Sequence, residues 1–257
     1  MKKSIAFIVL LLSFTNCFSQ TKFRKPEVDP IQIQKKFSDW WIYQNKKIML
    51  SRDFTPVDSD SNQTTKEAFL DELTKGSCIP VRLLSDDSTY TYKLFKIEAN
   101  SDTSIKATIS QEAFDALHNF KMEGTVFPKF SFKDLDGNIV SNETMKGKII
   151  VIKCWYIHCA ACIKEFPAVN ALVEKYKNRK DIVFVSLAED NPQQLKTFLA
   201  KRPLSYSVIP DMKVYMNETL QLNAFPTHFI LDKQGIIKKV VSNYESLEVA
   251  LAKESAL

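Results

Sequence analysis

The chain has 257 residues, enough for one large or two small domains, and 45% of them are apolar, too many for a disordered chain. Its formal charge of +5 is mild, and no basic run is interleaved with aromatics, so nucleic acid is not expected as a partner. The five glycines are too scattered to build a phosphate-cradling loop, which excludes a P-loop or a dinucleotide fingerprint.

At the N-terminus, Lys2 and Lys3 precede the apolar run Ile5 to Phe14, which reads as a signal peptide over residues 1–19 and places the mature protein in the periplasm or outside the cell. Cleavage after Ser19 would put Cys17 and Ser19 at the −3 and −1 positions, start the mature chain at Gln20 and lower the charge by two to +3. Lipidation at Cys17 and retention as an uncleaved anchor are the competing readings. The first is opposed by the poor lipobox Phe14-Thr15-Asn16 and the second by the shortness of the run. Lys35-Lys36 and Lys46-Lys47 read as solvated faces.

Residues 20–122 read as a small α+β domain. Its polar stretch Asp58–Thr65 is a loop closed by a capping box, Thr64 with Glu67, that starts a helix through Phe69, Leu70 and Leu73 to a stop near Gly76. Strands are expected at Ile79–Leu84 and Tyr90–Ile97, and a helix from Ser110 to Lys121. Trp40-Trp41 reads as core packing rather than a binding surface. No motif in this region carries chemistry.

Gly124 to Pro128 marks a boundary, and 124–257 alternates strands with helices. Lys129–Phe132 is a short strand and Asp134 to Gly137 a turn. Ile149–Trp155 is an apolar strand interrupted by Lys153, followed by a helix from Ala160 to about Asn178. Ile182–Leu187 reads as a buried parallel strand and Pro192–Ala200 as a helix. Phe229–Asp232 and Ile236–Val241 form a hairpin, and Ser246–Leu251 begins a last amphipathic helix. The order predicts an α/β architecture, a central mixed sheet flanked by helices.

Five cysteines occur, and loss of residues 1–19 would leave Cys78, Cys154, Cys159 and Cys162. Four in an exported chain of this size do not make a disulfide scaffold, so the close pair reads as redox-active or metal-binding. Cys159-Ala-Ala-Cys162 follows a strand and opens a helix, where unpaired backbone N–H groups and the helix dipole favour an anion. Cys159 is therefore expected to be the attacking thiolate, with Cys162 one turn on to resolve a mixed disulfide. The alternative is an inert buried pair or a resting structural disulfide. Phe225-Pro226-Thr227 precedes an apolar strand, and a cis bond there would present the preceding backbone to a bound peptide.

Together these residues resemble the thioredoxin superfamily, most closely its exported TlpA/ResA-like thiol-disulfide oxidoreductases with an AhpC/TSA-redoxin-like domain. The resemblance covers Gly124–Leu257. It rests on the strand into Trp155-x-x-x-Cys159-x-x-Cys162, then Glu165 and Pro167, then Ala224-Phe-Pro-Thr-His-Phe-Ile-Leu-Asp232 with Gly235. It implies that Pro226 is cis and lies beside the disulfide, that Pro167 kinks the active-site helix, and that Glu165 tunes the thiols. It makes Cys159, Cys162, Glu165 and Lys153 the candidate catalytic residues, and Phe225, Pro226, Trp155 and His158 the candidate substrate-binding ones. Two positions depart from the pattern. His158 stands where the family usually has Trp, either favouring the thiolate or merely exposed. Lys153 stands where the family usually has Asp or Asn, either pairing with Glu165 or snorkelling outward. Glu165 itself has the alternative of an exposed helix-face acid. Cys154 should point to the opposite face of its strand from Lys153, as a buried core thiol. Cys78 reads as a free thiol, with a link to another cysteine as the alternative.

The expected activity is protein-disulfide exchange, in the direction of reducing exported proteins. The expected partners are proteins with thiols or disulfides, cytochrome c maturation factors among them, and a membrane electron donor; no cofactor is expected. A copper-binding role would use Cys159, Cys162 and His158 or His228, but the relevant chaperones space their cysteines by three residues, not two. A peroxiredoxin-type peroxidase would want a threonine three residues before the first cysteine, where this chain has Tyr156.

Overall fold

A computed structural model describes residues 25–84 and 90–256. The expected export segment, with Cys17, Ser19 and Gln20, lies outside the described residues. No helix among the described residues is long and apolar enough to cross a membrane.

Residues 25–122 form helices α1 (Pro30–Ile33), α2 (Phe37–Lys47), α3 (Lys66–Thr74) and α4 (Thr103–Met122). These surround a three-stranded sheet of β1 (Thr55–Val57), β2 (Cys78–Arg82) and β3 (Thr91–Lys96), ordered β1-β3-β2. Ile105, Ile109, Ala113 and Leu117 recur every four residues along α4 and pack with Phe69, Leu70 and Tyr92. Trp40 joins this core as expected, but Trp41 stays 38% exposed and stacks on Phe37. The cap of α3 is Thr65, whose hydroxyl accepts the Ala68 N–H at 3.1 Å. Thr64, the expected cap, instead donates its N–H to the Pro56 carbonyl as the chain leaves the loop. The helix expected from Ser110 begins at Thr103, because Asp102 caps it by accepting the Ser104 N–H.

From residue 124 the chain adds a small hairpin of β4 (Ser131–Lys133) and β5 (Ile139–Ser141), then a five-stranded mixed sheet. That sheet takes β6 (Ile149–Trp155), β7 (Ile182–Ala188), β8 (Ser207–Ile209), β9 (Thr227–Leu231) and β10 (Ile237–Val241) in the order β10-β9-β6-β7-β8. β6 pairs in parallel with β7 and antiparallel with β9. Every residue of β6 is buried, as its apolar run requires. The helices are α5 (Ala160–Lys164), α6 (Phe166–Lys175), α7 (Pro192–Leu199) and α8 (Tyr244–Glu254), with a π-helical turn at Tyr215–Thr219. The side chains of β6 part to two faces. Ile150, Ile152 and Cys154 enter a core closed by Phe127, Met212, Met216 and Leu220. Val151 packs under α6 and α8 with Val169, Leu172, Leu247 and Leu251, and Trp155 packs with Cys159, Cys162 and Leu195.

The single helix expected from Ala160 to Asn178 is two helices. α5 ends at Lys164, Glu165 is the joint, and α6 ends at Lys175. Pro167 has no N–H to donate to the Ile163 carbonyl four residues back, so the ladder cannot run through it. The kink expected from Pro167 is this break.

Candidate active site

The central strand β6 ends at Trp155, and the chain turns through Tyr156, Ile157 and His158 into α5. Asp190, just beyond β7, holds this turn by accepting the Ile157 N–H at 2.8 Å. Cys159 is the N-cap of α5, and its sulfur accepts the Cys162 N–H at 3.2 Å. The two cysteines are joined as a disulfide, with Cα atoms 5.2 Å apart. Cys159 retains 5% exposure and Cys162 none, so only the first cysteine has any surface open to a partner. A thiolate released at Cys159 would sit on the orphan N–H groups at the start of the helix, which favour negative charge there.

Phe225 is half-buried and packs against the cluster holding the disulfide, its ring edge-on to Tyr156 at 5.6 Å. The Phe225–Pro226 bond is cis. His158 is exposed and makes no hydrogen bond among the described residues. Trp155 departs from the substrate-binding expectation. It is fully enclosed, edge-to-face with Phe166 at 5.0 Å, and so lines the floor beneath the disulfide rather than a surface that a substrate meets.

Beneath this floor lies a buried ionic cluster. Lys153 has no solvent exposure, and its Nζ is 2.7 Å from Glu165 Oε2. The snorkelling alternative is thereby excluded, as is an exposed role for Glu165, whose side chain is only 13% exposed. Glu165 Oε2 also lies 3.0 Å from His228 Nε2, and Oε1 accepts the Tyr244 N–H at 2.8 Å. The β6–β9 register sets Lys153 opposite His228, so both side chains rise from one sheet face toward the α5–α6 joint. Burial pushes the Lys153 amine down, and the Glu165 carboxylate beside it works against that. Burial alone would raise the Glu165 carboxyl, but His228 and Lys153 hold it well below the ordinary carboxylate range. Burial, then the charge of Lys153, presses His228 down to about 4, so its imidazole is neutral at physiological pH.

His228 is the site residue that sequence reasoning missed, having placed it only among copper ligands. A histidine in an otherwise apolar strand, two residues after Pro226, was the available signal. Cys154 lies on the opposite face as expected, free, buried and with its thiol pushed up by desolvation; Cys78 is likewise free and buried. Among the described residues no group of three His, Cys, Asp or Glu side chains is arranged to hold a metal ion.

Comparison with known proteins places this region among familiar ones. The family model described as AhpC/TSA family matches residues 124–240. Thioredoxin-like protein YneN of Bacillus subtilis is 31% identical over 120 residues, 46% of this chain and 70% of that protein. Thiol-disulfide oxidoreductase ResA of Bacillus cereus is 29% identical over 133 residues, 51% of this chain and 77% of that protein. Among solved structures, the thioredoxin domain of a thiol-disulfide oxidoreductase from Bacteroides vulgatus is 23% identical, with a TM-score of 0.47, over 51% of this chain and 96% of that one.

Proposed function

Because this chain belongs to the thioredoxin superfamily, as a thiol-disulfide oxidoreductase similar to ResA and YneN with an AhpC/TSA-family segment at residues 124–240, we propose that Cys159 is its nucleophile and Cys162 its resolving thiol. The observation that carries this is the position of Cys159 as the N-cap of α5, where it is the more exposed residue of a bonded pair.

In the reducing direction the Cys159 thiolate attacks one sulfur of a substrate disulfide. The substrate S–S bond breaks, a mixed disulfide forms and one substrate thiolate leaves to take up a proton. Cys162 then loses its proton and attacks the Cys159 sulfur. This releases the second substrate thiolate and closes the Cys159–Cys162 disulfide, two electrons having passed to the substrate. A dithiol donor restores the pair by the same exchange in reverse. Phe225 and His158 form the rim against which the substrate chain lies, and the buried Pro226 holds the backbone of Phe225 in place through its cis bond. The Lys153–Glu165 pair supplies a fixed ionic floor one helical turn below Cys162.

The substrates are proteins bearing thiols or disulfides. We place them outside the cytoplasm, on the strength of the basic and then apolar N-terminal run, with cytochrome c maturation factors among them and a membrane protein as the electron donor. We assign residues 20–122 to a separate domain that bears on partner choice; the sheet and core of its described residues, 25–84 and 90–122, are distinct from those under the disulfide.

Equilibration of the mature protein against glutathione and dithiothreitol, with thiol trapping, tests the direction. A potential near about −270 mV supports a reductant, whereas one near about −120 mV reverses the direction. Cys162→Ser should accumulate a mixed disulfide through Cys159. Exchange activity surviving in Cys159→Ser would overturn the assignment.

A further inference from the structure

The proposed reaction leaves His228 without a task, yet the fold goes to some trouble over it. The ring is fully enclosed on β9, in register with Lys153, with Nε2 3.0 Å from Glu165 Oε2. A carboxylate only accepts, so a neutral imidazole must carry its hydrogen on Nε2 to make this bond. Nδ1 is then a bare acceptor, and no donor reaches it among the described residues. A buried acceptor without a partner lowers stability, and an apolar side chain here would avoid that cost. Packing alone therefore does not account for a histidine at this position. What the ring contributes is the Nε2–H.

That N–H completes a set of three donors on one carboxylate. Lys153 Nζ and His228 Nε2 converge on Oε2, and the Tyr244 N–H takes Oε1. Glu165 follows Cys162 by three residues, so the two side chains share one face of the helix. The remaining ionisable group facing the cluster is the phenol of Tyr206, pushed up by burial and so uncharged at neutral pH, while the Tyr244 phenol turns to Glu248. Cys154, next to Lys153 in sequence, lies on the other face of the sheet.

We infer that His228 is a positioning residue whose Nε2–H fixes Glu165 as an ionised carboxylate in one orientation beneath Cys162, and through it sets the reactivity of the thiol pair. This rests on the reading of Cys159 and Cys162 as the reacting pair. It assigns the tautomer of His228, and it leaves Glu165 as a fixed charge rather than a proton carrier in the neutral range.

The test compares reduced wild type with His228→Leu, which fills the space and donates nothing, and His228→Gln, whose amide can donate from near the position of Nε2. Carboxyl-carbon NMR on glutamate-labelled protein follows Glu165, with Glu165→Gln identifying its resonance. Iodoacetamide alkylation at pH 7 follows Cys159. Loss of a charge-assisted hydrogen bond should raise the acid midpoint of Glu165 in His228→Leu, weakening it as an acid by roughly ten- to a hundredfold. The alkylation rate should change by about threefold or more, and His228→Gln should restore both readings. Should His228→Leu fail to fold, His228→Val is the second non-donating variant. The proposal falls if the folded non-donating variant titrates and alkylates like wild type, or if His228→Gln behaves like His228→Leu. Alkylation that persists unchanged in Cys159→Ser would instead sink the assignment of the nucleophile, and the carboxyl titration would then judge the Glu165 lock separately.

Discussion

Strand β6 shows Ile150, Ile152 and Cys154 to one face of the central sheet and Val151, Lys153 and Trp155 to the other, and the two faces are built differently. The first meets only apolar partners, Phe127, Met212, Met216 and Leu220 among them. A thiol there has no route to solvent, and burial pushes Cys154 up against the opposing pull of the Lys153 charge, leaving it inert. The second face encloses a lysine, a glutamate and a histidine and carries the disulfide at its rim. Cys154 and Cys159 are five residues apart in sequence. Reactivity follows from which face and which end of an element the sulfur occupies, not from the motif alone.

The largest effect expected from breaking this contrast is on the polar face. Glu165→Leu leaves Lys153 charged or desolvated with no carboxylate, and removal of one partner of a buried pair typically costs about 3–5 kcal/mol. The triple variant Lys153→Met/Glu165→Leu/His228→Leu turns the second face into a copy of the first and should recover most of that loss. Urea unfolding of both variants measures it. If the triple variant is no more stable than the single, the stranded charge is not what limits the polar face.

Acid should act on the same face. His228 titrates from the ordinary 6.5 in the unfolded chain to about 4 when folded, so between those values the unfolded state binds a proton that the folded state refuses. The Glu165 carboxyl, held below its ordinary range, extends the effect to lower pH with the same sign. Stability is therefore full above about pH 6.5 and falls on acidification, by at most about 1.4 kcal/mol per pH unit for each group. Denaturant midpoints at pH 7.5, 5.5 and 4.5 should decline in wild type and flatten through the upper part of that window in His228→Gln. An equal decline in both would take the effect away from His228.

The apolar face predicts a smaller change. Cys154→Ser buries a hydroxyl where no partner waits, at a cost of about 1–3 kcal/mol. Disulfide-exchange activity measured on the folded fraction should be unchanged. A loss of activity per folded molecule would mean that the two faces are coupled through the strand.

These two faces differed in how far the sequence disclosed them. The strand Ile149–Trp155 was legible to the residue despite Lys153, because its other six residues are apolar, as a strand buried on both sides requires. Cys159 and Cys162 were legible because the motif sits at a strand-to-helix change. The pairing of Lys153 with Glu165 stood among the alternatives, since a lysine in a buried strand needs a counter-charge. The part of His228 was not legible: an antiparallel pairing joins it to a strand 75 residues away, and no local period reports that. The short strand β8 and the π-helical turn Tyr215–Thr219 were missed for a similar reason, being too brief to show a period. In α2, Gln44 is buried against Glu112 and Lys46 and Lys47 close the last turn, so its apolar stripe is thin and the helix went unread.

The smallest expected effect lies where the two sheets meet. Lys239 on the edge strand β10 is 2.6 Å from Asp53 and 3.0 Å from Glu123, and Lys253 on α8 is 3.0 Å from Asp53. The Asp53 carboxyl would be raised by burial, but Lys239 and then Lys253 bring it down to about 2. Its side chain is nevertheless 59% exposed, and water and salt screen both attractions. Asp53→Ala should therefore cost no more than about 1 kcal/mol, most of it lost in high salt even for wild type. Lys239 keeps Glu123, so no buried charge is stranded. That is the physical difference from Glu165→Leu, where the cation left behind has no solvent to turn to. If Asp53→Ala proved as damaging as Glu165→Leu, burial would not be what separates the costly ion pairs of this protein from the cheap ones.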